Sequence, residues 1–397
     1  MTDYPATNTH VHLPPNFSAF ASISQALAAA QAEGVRAVGI SNFYDQRVYP
    51  RFARAAAQVG VFALFGLEFI TLDQDLEAAG VRVNDPANPG RMYLTGKGIV
   101  PARGQNPEAA ATTGAVKRAN DQRATQMVAQ VAAHLAGQGL KWDLTAAAIA
   151  ADVAARADVP VEWVSLQERH IARAIYNTLA PPALDPAGAR GARRQASRSP
   201  SGLEGLLSIP GGQTQSAAEA QGAIRAKLLK RGTPGFVPEV PLTFAEAYSC
   251  VTAMGGIPCY PVLADGADPV CPFEQSPDEL AAELVRRQVH AAEFIPVRNA
   301  GATVDRYVRA FEAAGLIVVA GTEHNTPDLI PLTPAAQDGP LSDHARAAFW
   351  RGATVVAAHQ HLAGQGRDGY TDRAGARTGT SLADLAALGA QLIGGET

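Results

Sequence analysis

The chain has 397 residues, 47% of them hydrophobic and 18% charged, and a formal net charge of −4. This composition fits a globular chain and excludes a disordered one, and it leaves no overall positive field to gather nucleic acid or an anionic membrane. No apolar run reaches the roughly 18 residues of a membrane helix, no charged-then-apolar signal pattern precedes His10, and Cys250, Cys259 and Cys271 form neither a CxxC pair nor an even disulfide framework, so a cytoplasmic protein is expected.

The first chemically suggestive stretch is "ATNTHVHLPP", with His10 and His12 two residues apart. Alternate residues of a strand share a face, so both imidazoles can address one point, and imidazole is the commonest ligand for divalent transition metals. "SISQALAAAQAEG" places Ile23, Leu27 and Ala30 at helical spacing, with a serine to cap it and Gly34 to end it. "VRAVGI" (35–40) then has the length of a buried strand. A second helix is expected from about Pro50 to Gly60, and "VFALFGLEF" (61–69) is a further buried strand. This alternation predicts a parallel α/β architecture, in which chemistry collects at the C-terminal ends of strands. Glu68 closes the third strand within an apolar run, where a carboxylate is costly unless paired or bound to a metal.

From about 114 to 230 the pattern changes to three helices. They are followed by a Pro, Gly and Ser-rich stretch, 181–217, that includes the basic run "GARGARRQASRSP" and is expected to be a flexible loop. This middle third is expected to be a helical cap inserted into the barrel, dividing it into 1–113 and 231–397. Alternation then resumes through "IPCYPVL", "AAEFIPV" and "LIVVAGTEHN", each preceded by a helical segment, and "ATVVAAHQH" reads as a further strand. It brings a second His-x-His, His359 and His361, either a second metal pair or polar residues at a strand end.

Taken in order, His10-Val11-His12, "GLEF", "QERHIARAI", "AIRAKLLKRGTPGFVPE", "MGGIPCYP" and "GLIVVAGTEHN" resemble the motifs of the PHP superfamily, metal-dependent phosphoesterases named for polymerase and histidinol-phosphatase members. The helical insertion resembles that of its nucleotide-phosphatase branch. The resemblance implies a distorted (β/α)7 TIM-like barrel and a metal site built from His10, His12, Glu68 and Glu323. It also departs from the pattern. Asn42 and Phe43 stand where the family has Asp-His, Tyr93 or Thr95 where it has a His, Tyr260 where it has the His of Ala-His-Pro, and Glu323 and Asn325 where it has Asp and His.

What survives suits one divalent ion per chain, zinc, manganese or iron, with an open position. The expectation is therefore a metal-dependent hydrolase of a small anionic substrate, most simply a phosphoester. In it Glu68 or His324 relays a proton, and Arg169, His170, Tyr260 and Asn325 contact the substrate. The competing readings are a metal-dependent lyase, isomerase or amidohydrolase acting on a sugar-like metabolite, and a degenerate member that binds without turnover.

Overall fold

The computed structural model describes residues 4–101, 103, 106–179, 206 and 216–395; nearly all of the Pro, Gly and Ser-rich stretch 181–217 lies outside them. Among the described residues eight strands form one sheet: β1 (Thr7–Val11), β2 (Ala37–Phe43), β3 (Phe62–Leu72), β4 (Arg91–Lys97), β5 (Leu242–Thr243), β6 (Ile257–Val262), β7 (Ala291–Phe294) and β8 (Ile317–Ala320). Their order is β1-β2-β3-β4-β6-β7-β8, with β5 attached to β3. The sheet curls until its two edges nearly meet. Val11 bridges Glu323 in parallel fashion, the His12 amide donates to the Glu323 carbonyl at 2.8 Å, and the Glu323 amide donates to the His10 carbonyl at 2.9 Å. Gly321 makes this approach possible, since a Cβ there would lie 2.2 Å from the Cβ of His10. The expected barrel-like α/β fold is therefore present.

The pairing is parallel except around β4, which runs antiparallel to both β3 and β6. "RMYLTGKG" therefore forms a strand that strand–helix alternation does not announce. The helix between it and β3 is the single turn and a half of α3 (Gln74–Ala78), too short to signal a strand–helix–strand unit, and β4 returns antiparallel beside β3.

Helices α1 (Ile23–Ala32) and α2 (Tyr49–Gln58) follow β1 and β2 as expected. Ser22 caps α1 by accepting the Gln25 amide at 3.1 Å, and Leu27, Phe52 and Leu67 share one buried core on that side of the sheet. After β4 come α4 (Pro107–Gly137), α5 (Ala146–Ala157), α6 (Glu168–Leu179) and α7 (Ala217–Leu228). They bury a cluster of their own around Met127, Val131, Trp142, Ile175 and Ile224. Helices α8 (Phe244–Ala253), α9 (Pro277–Arg286) and α10 (Gly301–Ala313) then alternate with β6–β8.

One expectation is overturned. "ATVVAAHQH" is not a strand but the middle of α11 (Asp343–Gly364), which α12 (Leu382–Gly394) packs against. Val355, Val356, Ala357, Ala358 and His359 are all buried there, and a helix covered on every side shows no amphipathic period to distinguish it from a buried strand. Its Gln360 side chain accepts from the Phe65 amide and donates to the Ala63 carbonyl, so α11 lies against the early part of β3. Among the described residues no helix is long and apolar enough to cross a membrane.

Candidate metal centre

His10 and His12 lie at the C-terminal end of β1, and Glu68 lies on β3 opposite Phe43 of β2. All three are buried. One ligand atom from each falls within 4.8 Å of the others. His10 Nε2 and His12 Nε2 are 3.4 Å apart, His12 Nε2 is 3.3 Å from Glu68 Oε2, and His10 Nε2 is 3.7 Å from the same oxygen. Donors at the corners of a tetrahedron around a cation with bonds of about 2.0–2.1 Å are separated by about 3.3–3.4 Å. The trio fits one such ion with little movement.

His10 is oriented from behind. Its Nδ1 lies 2.7 Å from Glu293 Oε2, and an ionised carboxylate only accepts, so the ring proton sits on Nδ1 and Nε2 turns its lone pair toward His12 and Glu68. Glu293 also takes Thr9 Oγ1 at 2.8 Å and Lys97 Nζ at 2.6 Å, all of them buried. Burial pushes the Glu293 carboxyl up, but Lys97 and His10 outweigh it and hold it at about 2. Lys97 completes its donors on the Thr9 carbonyl and Ser41 Oγ, both at 3.0 Å. Glu293 and Lys97 escape a reading of sequence motifs. The signals they leave are a carboxylate inside "AAEFIPV" and a lysine at the end of "RMYLTGK", each in a strand with no exposed face.

His12 is less supported. Its face stacks on Phe43 with ring centroids 5.0 Å apart, and its buried Nδ1 has no partner among the described residues. Burial lowers its pKa, only partly offset by Glu68, so the ring stays neutral and able to bind metal.

The other expected site residues separate into those at the site and those placed elsewhere. Glu323 does not join the trio. Both its oxygens are taken by the Arg298 guanidinium, one at 2.8 Å, and Asn325 Nδ2 donates to Oε2 at 2.6 Å. Both Glu323 and His324 have left-handed backbones, with φ of 59° and 53°. That turn aims the carboxylate at Arg298. His324 lies close by with both ring nitrogens occupied, Nδ1 by Thr322 Oγ1 at 2.8 Å and Nε2 by the Ile330 carbonyl at 2.9 Å, so it has no nitrogen left for proton relay.

Tyr260 points to the opposite side of its strand, among Phe294, Tyr307 and the outer helices, and its hydroxyl donates to Glu274 at 2.8 Å. Asn42 clamps the residue after His12, accepting from the Leu13 amide and donating to the Leu13 carbonyl, both at 2.8 Å. From within α11, His359 Nε2 donates to the Gly255 carbonyl at 2.9 Å and Nδ1 accepts the Tyr370 amide at 3.2 Å, and His361 bonds Gln365 at the surface. Two residues apart on a helix they face different sides, and they form no metal pair.

Above the trio opens a cavity of about 750 Å³ between the barrel and the helices of 107–228. Glu68, Tyr93, Arg298, Glu323 and Asn325 line its floor, and Arg123, Glu168, Arg169, Arg225 and Lys230 its far wall. Glu168 binds three of those cations, Arg123 and Lys230 at 2.9 Å and Arg225 at 3.1 Å. Burial raises the Glu168 carboxyl, yet these cations bring it down to about 2. Arg169 is different. It reaches Asn325 Oδ1 at 3.4 Å and has no carboxylate within 4 Å among the described residues, while burial and neighbouring Arg225 lower its pKa to about 10. His170, its neighbour in sequence, is turned away from this cavity.

No protein-family model and no curated protein matches this chain. Solved structures do. A protein from Bifidobacterium adolescentis described as a metal-dependent phosphoesterase superposes with a TM-score of 0.56 at 15% identity, covering 88% of this chain and 98% of that one. An amidohydrolase from Chromobacterium violaceum, with bound sulfate and no metal, superposes with a TM-score of 0.53, also at 15% identity, over 85% and 93%. At that identity the likeness establishes a shared fold.

Proposed function

We propose that the protein is a metal-dependent hydrolase of a small anionic substrate, with a phosphoester as the first candidate. The observation that carries this reading is the trio of His10, His12 and Glu68, spaced for one divalent ion and opening on a cavity that holds the Arg169 guanidinium, which has no carboxylate within 4 Å among the described residues. A bound divalent ion supplies Lewis acidity and an acidified water at neutral pH. In this reading Arg169 grips the substrate anion in a two-pronged contact, and its hydrogen bond to Asn325 supports that role. Glu68 belongs to the trio and also lines the cavity, which makes its carboxylate the candidate proton acceptor. Zinc, manganese and iron all suit two imidazoles and a carboxylate.

A second reading, hydrolysis of an amide or lactone, draws on the engagement of Glu323 by Arg298. That pair leaves donors for one ion and not for a cluster, and a single ion also serves amide hydrolysis. The chain as purified should be analysed for metal content and then assayed against phosphomonoesters, phosphodiesters, lactones and N-acyl amides. Metal together with phosphoester turnover supports the first reading, and metal with amide or lactone turnover the second. A chain that takes up no metal from zinc, manganese or iron solutions sinks both.

A further inference from the structure

Helix α6 is a wall shared by two cavities. Glu168 and Arg169 face the one above the trio, whereas His170, Arg173 and Asn177 face another of about 460 Å³ on the far side of the helix. This second cavity is closed by α5 and by residues 14–21 of the loop that follows β1. Leu144, Ile149 and Val153 make one side of it apolar.

The polar side presents donors. His170 is buried, and its Nδ1 accepts the Gln167 amide at 3.0 Å. Burial and then Arg173 hold its pKa down at about 3, so the ring is neutral and its one proton sits on Nε2. That N–H has no partner among the described residues. Arg173 lies over the Phe17 ring, 4.1 Å from its centroid, and has no carboxylate within 4 Å among the described residues. Asn16 spends its carbonyl oxygen on the Phe43 amide at 2.8 Å, which leaves its NH2 group. The carboxylate in the lining, Asp152, is held by Arg156 at 2.8 Å. These donors line the cavity without a protein acceptor among the described residues, and a cation stacked on an aromatic ring without a counter-ion favours an anion.

We propose that this second cavity is a binding site for a small organic carboxylate with an apolar body, its carboxylate received by Arg173 and His170 and its body by Ile149 and Val153. The guanidinium fork matches a carboxylate in two parallel hydrogen bonds, and the volume is that of a small-molecule site. The cavity is separate from the one above the trio, and it gives His170 a role on the opposite side of α6 from the substrate cavity.

Titration of the purified full chain with benzoate and hexanoate, followed by NMR and calorimetry, tests this. Benzamide and hexanol serve as neutral controls. Saturable binding of the acids and not of the neutral analogues is expected, weakened about tenfold or more in Arg173→Gln and partly retained in Arg173→Lys. Arg169→Gln, which alters the other face of α6, should leave the affinity within about twofold. Thermal unfolding of each variant establishes that it is folded. If Arg173→Gln proves unfolded, Arg173→Lys and Arg169→Gln still locate the site. Absence of saturable binding, binding that follows Arg169 and not Arg173, or equal binding of the neutral analogues each overturns the proposal. Competition by inorganic phosphate at equal strength would overturn the apolar-body assignment.

Discussion

His10 and Glu293 are joined at 2.7 Å across the barrel, from β1 to β7, and this contact fixes which nitrogen of His10 faces the other two candidate ligands. Lys97 stands behind Glu293 at 2.6 Å, so the orientation of one imidazole rests on a buried ion pair. Such a pair contributes little net stability, but removing one partner strands the other charge without solvent.

Glu293→Gln should therefore destabilise the fold by about 3–5 kcal/mol and weaken metal binding about 10–100-fold. The double variant Lys97→Met, Glu293→Leu should recover much of the stability and none of the affinity. Urea denaturation and metal titration of the three proteins check this. Equal metal affinity in all three would remove Glu293 from any orienting role.

His12→Ala should abolish most metal uptake, since it deletes one of three donors. Asn42→Ala is expected to behave oppositely. It breaks two hydrogen bonds to Leu13 and should cost about 1–3 kcal/mol, while metal content stays nearly unchanged. Elemental analysis beside a denaturation curve separates the two effects.

Glu323→Gln tests whether that carboxylate is a ligand. Because Arg298 and Asn325 already occupy it, the metal-to-chain ratio should remain one, with affinity changed by less than about threefold, well short of the tenfold or greater loss that follows damage to a ligand's support. Two ions per wild-type chain, falling to one in this variant, would restore Glu323 to the ligand set.

Glu274 predicts a pH dependence of stability. Burial raises its carboxyl to about 7, against the hydrogen bonds of the Leu263 amide, the Tyr260 hydroxyl and the Ala264 amide. Between pH 4.5 and 7 the folded chain thus holds a proton that the unfolded chain has released. Stability from this group is complete below about 4.5 and declines as pH rises through 7, by roughly 3 kcal/mol in all. Glu274→Gln should flatten that part of the profile. Denaturation midpoints at pH 5, 6, 7 and 8 provide the comparison, and an unchanged slope in the variant would assign the decline to other groups.

The sequence by itself determined the strand–helix alternation, because apolar runs of strand length between capped amphipathic segments report burial locally. It also marked His10, His12 and Glu68, since two histidines at strand spacing and a carboxylate within an apolar run are unusual in one dimension. Their convergence required the sheet to close, bringing β1 and β3 to one end of the barrel. Tertiary structure alone decided the rest. Glu323 occupies a ligand-like position in the sequence, but a left-handed turn delivers it to Arg298, 25 residues away. Arg169 and His170 are adjacent in the chain, yet 100° of rotation per residue sends them into different cavities. Tyr260 lies on a strand whose pleat turns it outward, and the first histidine of the second His-x-His ends a helical stretch, 352–359, so evenly buried that its period is invisible. Glu293 and Lys97 carry no motif, because a supporting charge is defined by what it reaches across the barrel and not by its neighbours in sequence.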